Sequence, residues 1–89
     1  MGQAQVMVYY WDFFGPDADT TANRFQEHLV EFFEAHQVRG CELGQESSFR
    51  GHLAVTCKTP PELEGLVERS LRPRRVLPGV MDLPDSMEV

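Results

Sequence analysis

Basic residues are few: eight Lys and Arg stand against 14 Asp and Glu, leaving a formal charge of −6 on 89 residues. A general nucleic-acid clamp draws its affinity from neutralised phosphates, so this balance argues against one. No apolar run approaches the ~20 residues that a membrane helix needs. There are only two cysteines, Cys41 and Cys57, without the Cys-x-x-Cys spacing of zinc or redox sites, and both are expected to be free thiols. Three histidines assemble no ligand set by proximity along the chain, so neither a metal nor a cofactor is expected. A phosphate loop, a Gly-x-Ser-x-Gly turn and a paired-carboxylate signature are all missing. Met1 to Val6 lack the basic-then-apolar pattern of a secretion leader, and Val6 stands where an acylation signal beginning at Gly2 needs Ser or Thr. The expected location is the cytoplasm, with no membrane contact.

What is present is ordinary globular composition, 42% hydrophobic and 25% charged. The length allows one domain. A chain this short buries only about 60–65% of its unfolded surface, so its core is thin and a second copy would add to it. Charge is unevenly spread. Residues 1–49 hold eight acids against Arg24 and Arg39, whereas residues 50–81 hold six bases against Glu62, Glu64 and Glu68. Such halves can pair internally or across two copies.

Gln5 to Phe14 is rich in β-branched and aromatic residues and is closed by Gly15-Pro16, which predicts a strand. Both faces are apolar: Val6, Val8 and Tyr10 point one way, Met7, Tyr9, Trp11 and Phe13 the other. Asp17 to Thr21 supply acids and capping hydroxyls for a helix running to about Val38 and stopped by Gly40. Its apolar stripe comprises Ala22, Phe25, Leu29, Phe32, Phe33 and His36. Cys41 to Gln45 and Phe49 to Lys58 alternate around a turn at Glu46 to Ser48, predicting a hairpin with a bulge or turn edge at Arg50-Gly51. Thr59-Pro60-Pro61-Glu62 has the form of a helix start with Thr59 as N-cap, and that helix ends before Pro73. Arg74 to Leu77 suits an edge strand. The expected organisation is one domain over residues 1–79 and a flexible acidic tail over 80–89.

The order strand, helix, strand, strand, helix, strand predicts an α+β fold, the ferredoxin-like βαββαβ plait: a four-stranded antiparallel sheet with both helices on one face. Its first and third strands are central and its other face is bare, so Tyr9, Trp11 and Phe13 are expected to look outward. A homodimer packed through that aromatic face would cover them. A protein partner or a small ligand are the other occupants considered.

Arg50-Gly51-His52-Leu53-Ala54-Val55-Thr56-Cys57 resembles the third-strand octamer of RNA-recognition motif domains at its first two positions and at Val55. Val8-Tyr9-Tyr10 is similar to the start of the companion hexamer. The resemblance implies that Tyr9 and His52 stack bases, although Ala54 and Cys57 replace aromatics of that pattern. In size, element order and aromatic content the chain also resembles the small dimeric plaits that include antibiotic-biosynthesis-type monooxygenases. That likeness implies a dimer and a site at the sheet face, and it carries over no catalytic residue.

Tyr9, Trp11, Phe13, His52 and Arg50 are therefore the candidate binding residues, and His52 and Asp12 the candidate catalytic residues. His52 is expected on the third strand beside Arg50, facing Tyr9 and Trp11 as an acid or base. Asp12 within a strand needs a partner, Arg50 or Arg75. His28 and His36 lie roughly 12 Å apart along their helix and cannot share a metal. His28 reads as solvated and His36 as half-buried packing. Arg72-Pro73-Arg74-Arg75 is a basic cluster suited to an anion or to the acids of the first helix. Binding ranks above catalysis, with nucleic acid the least favoured partner.

Overall fold

The computed structural model describes residues 2–83. Strand β1 spans Gly2–Phe14, helix α1 Ala18–Ala35, strand β2 Glu42–Glu46, strand β3 His52–Thr59, helix α2 Glu64–Leu71 and strand β4 Arg75–Leu83. A 3-10 turn over Pro61–Leu63 leads into α2. The four strands form one antiparallel sheet in the order β2-β3-β1-β4, with β1 and β3 in the middle. No helix among the described residues is long and apolar enough to cross a membrane.

Parity along β1 decides the layering. Tyr9 and Trp11 are buried beneath the helices together with Ala22, Leu29 and Phe33 of α1, Val67 of α2, and Val55 and Cys57 of β3. Met7, Phe13, Phe25 and Leu43 pack against this core. Trp11 and Phe13 both meet the Phe25 ring, at centroid distances of 5.3 and 5.6 Å. Two polar links tie the row to α2: the Tyr9 hydroxyl donates to Glu68 at 2.6 Å, and the Trp11 indole donates to the Leu71 carbonyl at 2.9 Å. The helix-covered face is thus the aromatic one, not the opposite face as the sequence suggested. Val8, Tyr10 and Ala54 form a second, smaller cluster on the open face. The reason is bulk: only the helices supply enough apolar surface for an indole and two further aromatic rings, plus acceptors for the indole N–H and the phenol.

Several boundaries differ from expectation. Helix α1 begins four residues before Ala22, its N-cap Asp17 makes no side-chain cap, and it stops at Ala35. Gln37, at φ 56°, turns the chain there, and Val38 N–H closes the end on the Phe33 carbonyl at 2.8 Å. His36 is exposed instead of half-buried, its ring 4.2 Å from that of Phe32. Thr59 does not cap a helix. It is the last residue of β3, fully buried, with its hydroxyl against Cys57. Strand β4 runs through Pro78-Gly79 to Leu83, into the expected tail, because β1 is 13 residues long and offers β4 a partner at every position from Gly2 to Tyr10. Pro78 is tolerated on an outer strand, where its missing N–H costs no ladder bond. The rest of the expected tail, 84–89, lies outside the described residues.

Gly79 is a position of close approach. A Cβ there would lie 2.6 Å from Cγ2 of Val8, so Gly79→Ala should cost about 1–3 kcal/mol by overpacking. In denaturant titrations the double variant Val8→Ala/Gly79→Ala should lose less stability than the two single losses added together. Strict additivity would show that the two side chains do not compete for the same space.

Candidate functional site

The open face gathers its chemistry around Asp12. This residue sits on β1 opposite Ala54 of β3, in the row next to Phe14 and His52. Its carboxylate accepts from Arg75 Nε at 2.9 Å and from Arg75 Nη2 at 2.8 Å, a bidentate pair between neighbouring strands. It also accepts from His52 Nε2 at 2.8 Å. The Arg75 guanidinium lies 4.4 Å above the Tyr10 ring. Of the two partners expected for Asp12, Arg75 is therefore the one in place, and this member of the basic cluster faces β1 rather than the acids of α1.

The Arg75 guanidinium holds the Asp12 carboxyl below its ordinary range against the opposing cost of burial, and the His52 hydrogen bond adds to the lowering. Asp12 in turn raises Arg75. His52 is buried, and both ring nitrogens are engaged: Nε2 donates to Asp12, while Nδ1 accepts from the Ser48 backbone N–H at 3.1 Å. That pattern requires the neutral Nε2–H tautomer. A histidine so held has no free lone pair for a substrate proton, and the Asp12 oxygens are likewise occupied. The two candidate catalytic residues meet in a hydrogen bond that was not expected, and the geometry is that of a clasp.

The clasp fixes a loop. Ser47 donates its hydroxyl to the carbonyl of His52 at 2.7 Å, and His52 N–H closes on the Phe49 carbonyl at 3.0 Å. The His52 ring packs against both Phe14 and Phe49, 5.1 Å from each centroid, and these two rings meet each other at 6.2 Å. These two phenylalanines are 62% and 58% exposed, a solvent-facing aromatic lip at one end of the open face. The alternation of residues did not single them out, since Phe14 closes the aromatic run and Phe49 sits in the turn.

The candidate binding residues thus fall in different places. Tyr9 and Trp11 are buried under α2 and Phe13 is half-buried against Phe25, all on the face opposite His52. Tyr9 cannot be the base platform that the RNA-recognition resemblance implies. Burial and the Glu68 carboxylate push its phenol above its ordinary value. Arg50 is exposed in the β2–β3 turn and lines a cavity of about 320 Å³ with Gly15, Pro16 and Asp19. Among the described residues no group of three His, Cys, Asp or Glu side chains could hold a metal ion. Comparison with known protein families, characterised proteins and solved structures finds no match for this chain.

Turning the Asp12 carboxylate into an amide removes its charge and sets an NH2 donor in place of one of the two oxygens that Arg75 and His52 use. Asp12→Asn should therefore cost about 1.5–3 kcal/mol in chemical denaturation, the range for hydrogen bonds to charged groups. Because the folded state lowers the Asp12 pKa, its contribution is full above the unfolded value and is lost as pH falls below ~4. The stability gap between wild type and Asp12→Asn should accordingly narrow with acidification. A gap that does not change between neutral and acidic pH would contradict the clasp.

Proposed function

We propose that the chain is a binding domain with the ferredoxin-like plait, and that it works as a homodimer whose two copies pack through their open sheet faces. The order β2-β3-β1-β4, with antiparallel neighbours and the aromatic core under both helices, supports the plait.

The observation that carries the dimer is the charge pattern across one row of the open face. Arg75, Tyr10, Thr56 and Gly44 stand side by side on the four strands. Glu42 and Glu46 flank Gly44 two residues to either side, and period two sets all three on the same face. On this face β2 therefore carries Glu42 and Glu46, with Lys58 of β3 3.9 Å from Glu42, and β4 carries Arg75, around the buried apolar cluster of Val8, Tyr10 and Ala54. A two-fold axis parallel to the strands lays β4 of one copy over β2 of the other. Arg75 then projects toward Gly44, the position with no side chain, between the two glutamates. The same operation brings β1 over β3, so the aromatic lips at Phe14 and Phe49 meet each other. Leu77, 44% exposed beside Val8, is covered as well. An axis across the strands instead faces acid with acid. Catalysis at this face is the weaker reading, because His52 and Asp12 spend their hydrogen-bonding capacity on each other, Arg75 and Ser48.

Sedimentation equilibrium at micromolar concentration should give a dimer. Leu77→Asp, and separately Glu42→Lys with Glu46→Lys, should weaken it at least tenfold, ~1.4 kcal/mol, with unchanged circular dichroism. A monomeric wild type, or a dimer indifferent to both changes, would overturn the proposal.

A further inference from the structure

Beneath the opposite face, the two cysteines converge from different segments. Leu43 of β2 pairs with Cys57 of β3, and Glu42 with Lys58, so Cys41, one residue before β2, falls diagonally beside Cys57 on the helix-covered side. Both belong to the same core: Cys57 is fully buried and Cys41 packs against its cluster. The Thr59 hydroxyl lies 3.3 Å from the Cys57 sulfur. Both are free thiols.

Their exposure differs. Cys41 lines a cavity of about 900 Å³ between the end of α1 and β2, with Phe33, Val38, Arg39 and Leu43. Cys57 has no surface of its own. Any oxidant from solvent therefore meets Cys41 first. The neighbouring Cys57 holds the Cys41 thiol below its ordinary value, Thr59 assisting against burial, while the proximity of Cys41 and burial push Cys57 up.

We propose that Cys41 and Cys57 form a redox pair in which a hydroperoxide oxidises Cys41 and Cys57 resolves the product to an intramolecular disulfide. In the first step the Cys41 sulfur attacks the outer peroxide oxygen. An S–O bond forms, the O–O bond breaks, and the departing alkoxide takes the thiol proton, leaving Cys41 as a sulfenic acid. In the second, the Cys57 sulfur attacks that of Cys41. The S–S bond forms, the S–O bond breaks, and hydroxide leaves with the Cys57 proton as water. Two thiols and one hydroperoxide become one disulfide, one alcohol and one water.

Diagonal neighbours stand about 7–8 Å apart at Cα, beyond the usual span of a disulfide, so one backbone must move. Cys41 is the free one. It precedes the β2 ladder and follows Gly40, whose φ of 97° only glycine adopts easily. The bond thus draws the α1–β2 link against β3 and reshapes the cavity wall that Val38 to Cys41 form, coupling that cavity to oxidation.

The test is a titration of the native chain with hydrogen peroxide, read by intact mass, thiol count and dimedone trapping. The wild type should lose two hydrogen atoms and both thiols without cross-linked dimers, and reduction should restore it. Cys57→Ser should stall as a dimedone-trapped sulfenic acid at Cys41, with Cys57→Ala serving if the serine variant does not fold. In Cys41→Ser the remaining thiol should react at least about tenfold more slowly than Cys41 does in the Cys57 variant. Wild type that accumulates oxygen on Cys41 beside a free Cys57, that links two chains through Cys41, or that does not react, would overturn the proposal.

Discussion

The rest of the structure depends on where strand β1 sends its aromatic rings. An indole and a phenol cannot be buried without partners for their N–H and O–H, and α2 supplies both, through the Leu71 carbonyl and Glu68. Once Tyr9 and Trp11 lie under the helices, alternation puts Val8, Tyr10 and Asp12 on the open face. A carboxylate on a sheet surface beside apolar neighbours is costly unless paired. Arg75 on β4 and His52 on β3 stand on either side of it, so Asp12 bridges three strands.

That bridge reaches beyond stability. By engaging Nε2 of His52 while Ser48 engages Nδ1, it fixes the β2–β3 turn and holds Phe49 and Phe14 outward around the imidazole. A buried polar network thus presents an apolar surface. Functionally this moves attention from proton transfer to contact, and from the aromatic row of β1 to the acid, base and phenylalanine pattern of the opposite face. The thiol pair lies on the other side of the sheet, near the opposite end of β3, so its chemistry and any contact through the open face can vary independently.

Much of the element order was legible because each element has a local cause. The β-branched and aromatic run to Phe14, the apolar stripe of α1, and the alternation after Phe49 all appear as strands or helices with boundaries a few residues off. Local signals misled where tertiary pairing competed with them. Thr59 has the ideal type for a helix cap, yet β1 extends far enough to pair it with Met7, and it ends β3 instead. Pro78-Gly79 looks like a stop, yet the long edge of β1 carries β4 past it. The Asp12–Arg75 pair was within reach of the sequence, since a strand carboxylate demands a cation. The aromatic lip was not, because Phe49 sits in a turn outside any periodic row, and only the closed sheet brings it against Phe14.

By itself the sequence determined the number and order of elements, the two apolar faces of β1, and the need of Asp12 for a partner, because period, propensity and charge act over a few neighbouring residues. Only the tertiary structure decided which face of β1 the helices cover, which cation reaches Asp12, and that Cys41 and Cys57 meet. The pattern on β1 is nearly symmetric between its faces. The choice is made by groups on α2 and β4, some sixty residues away along the chain and brought close only when the sheet closes.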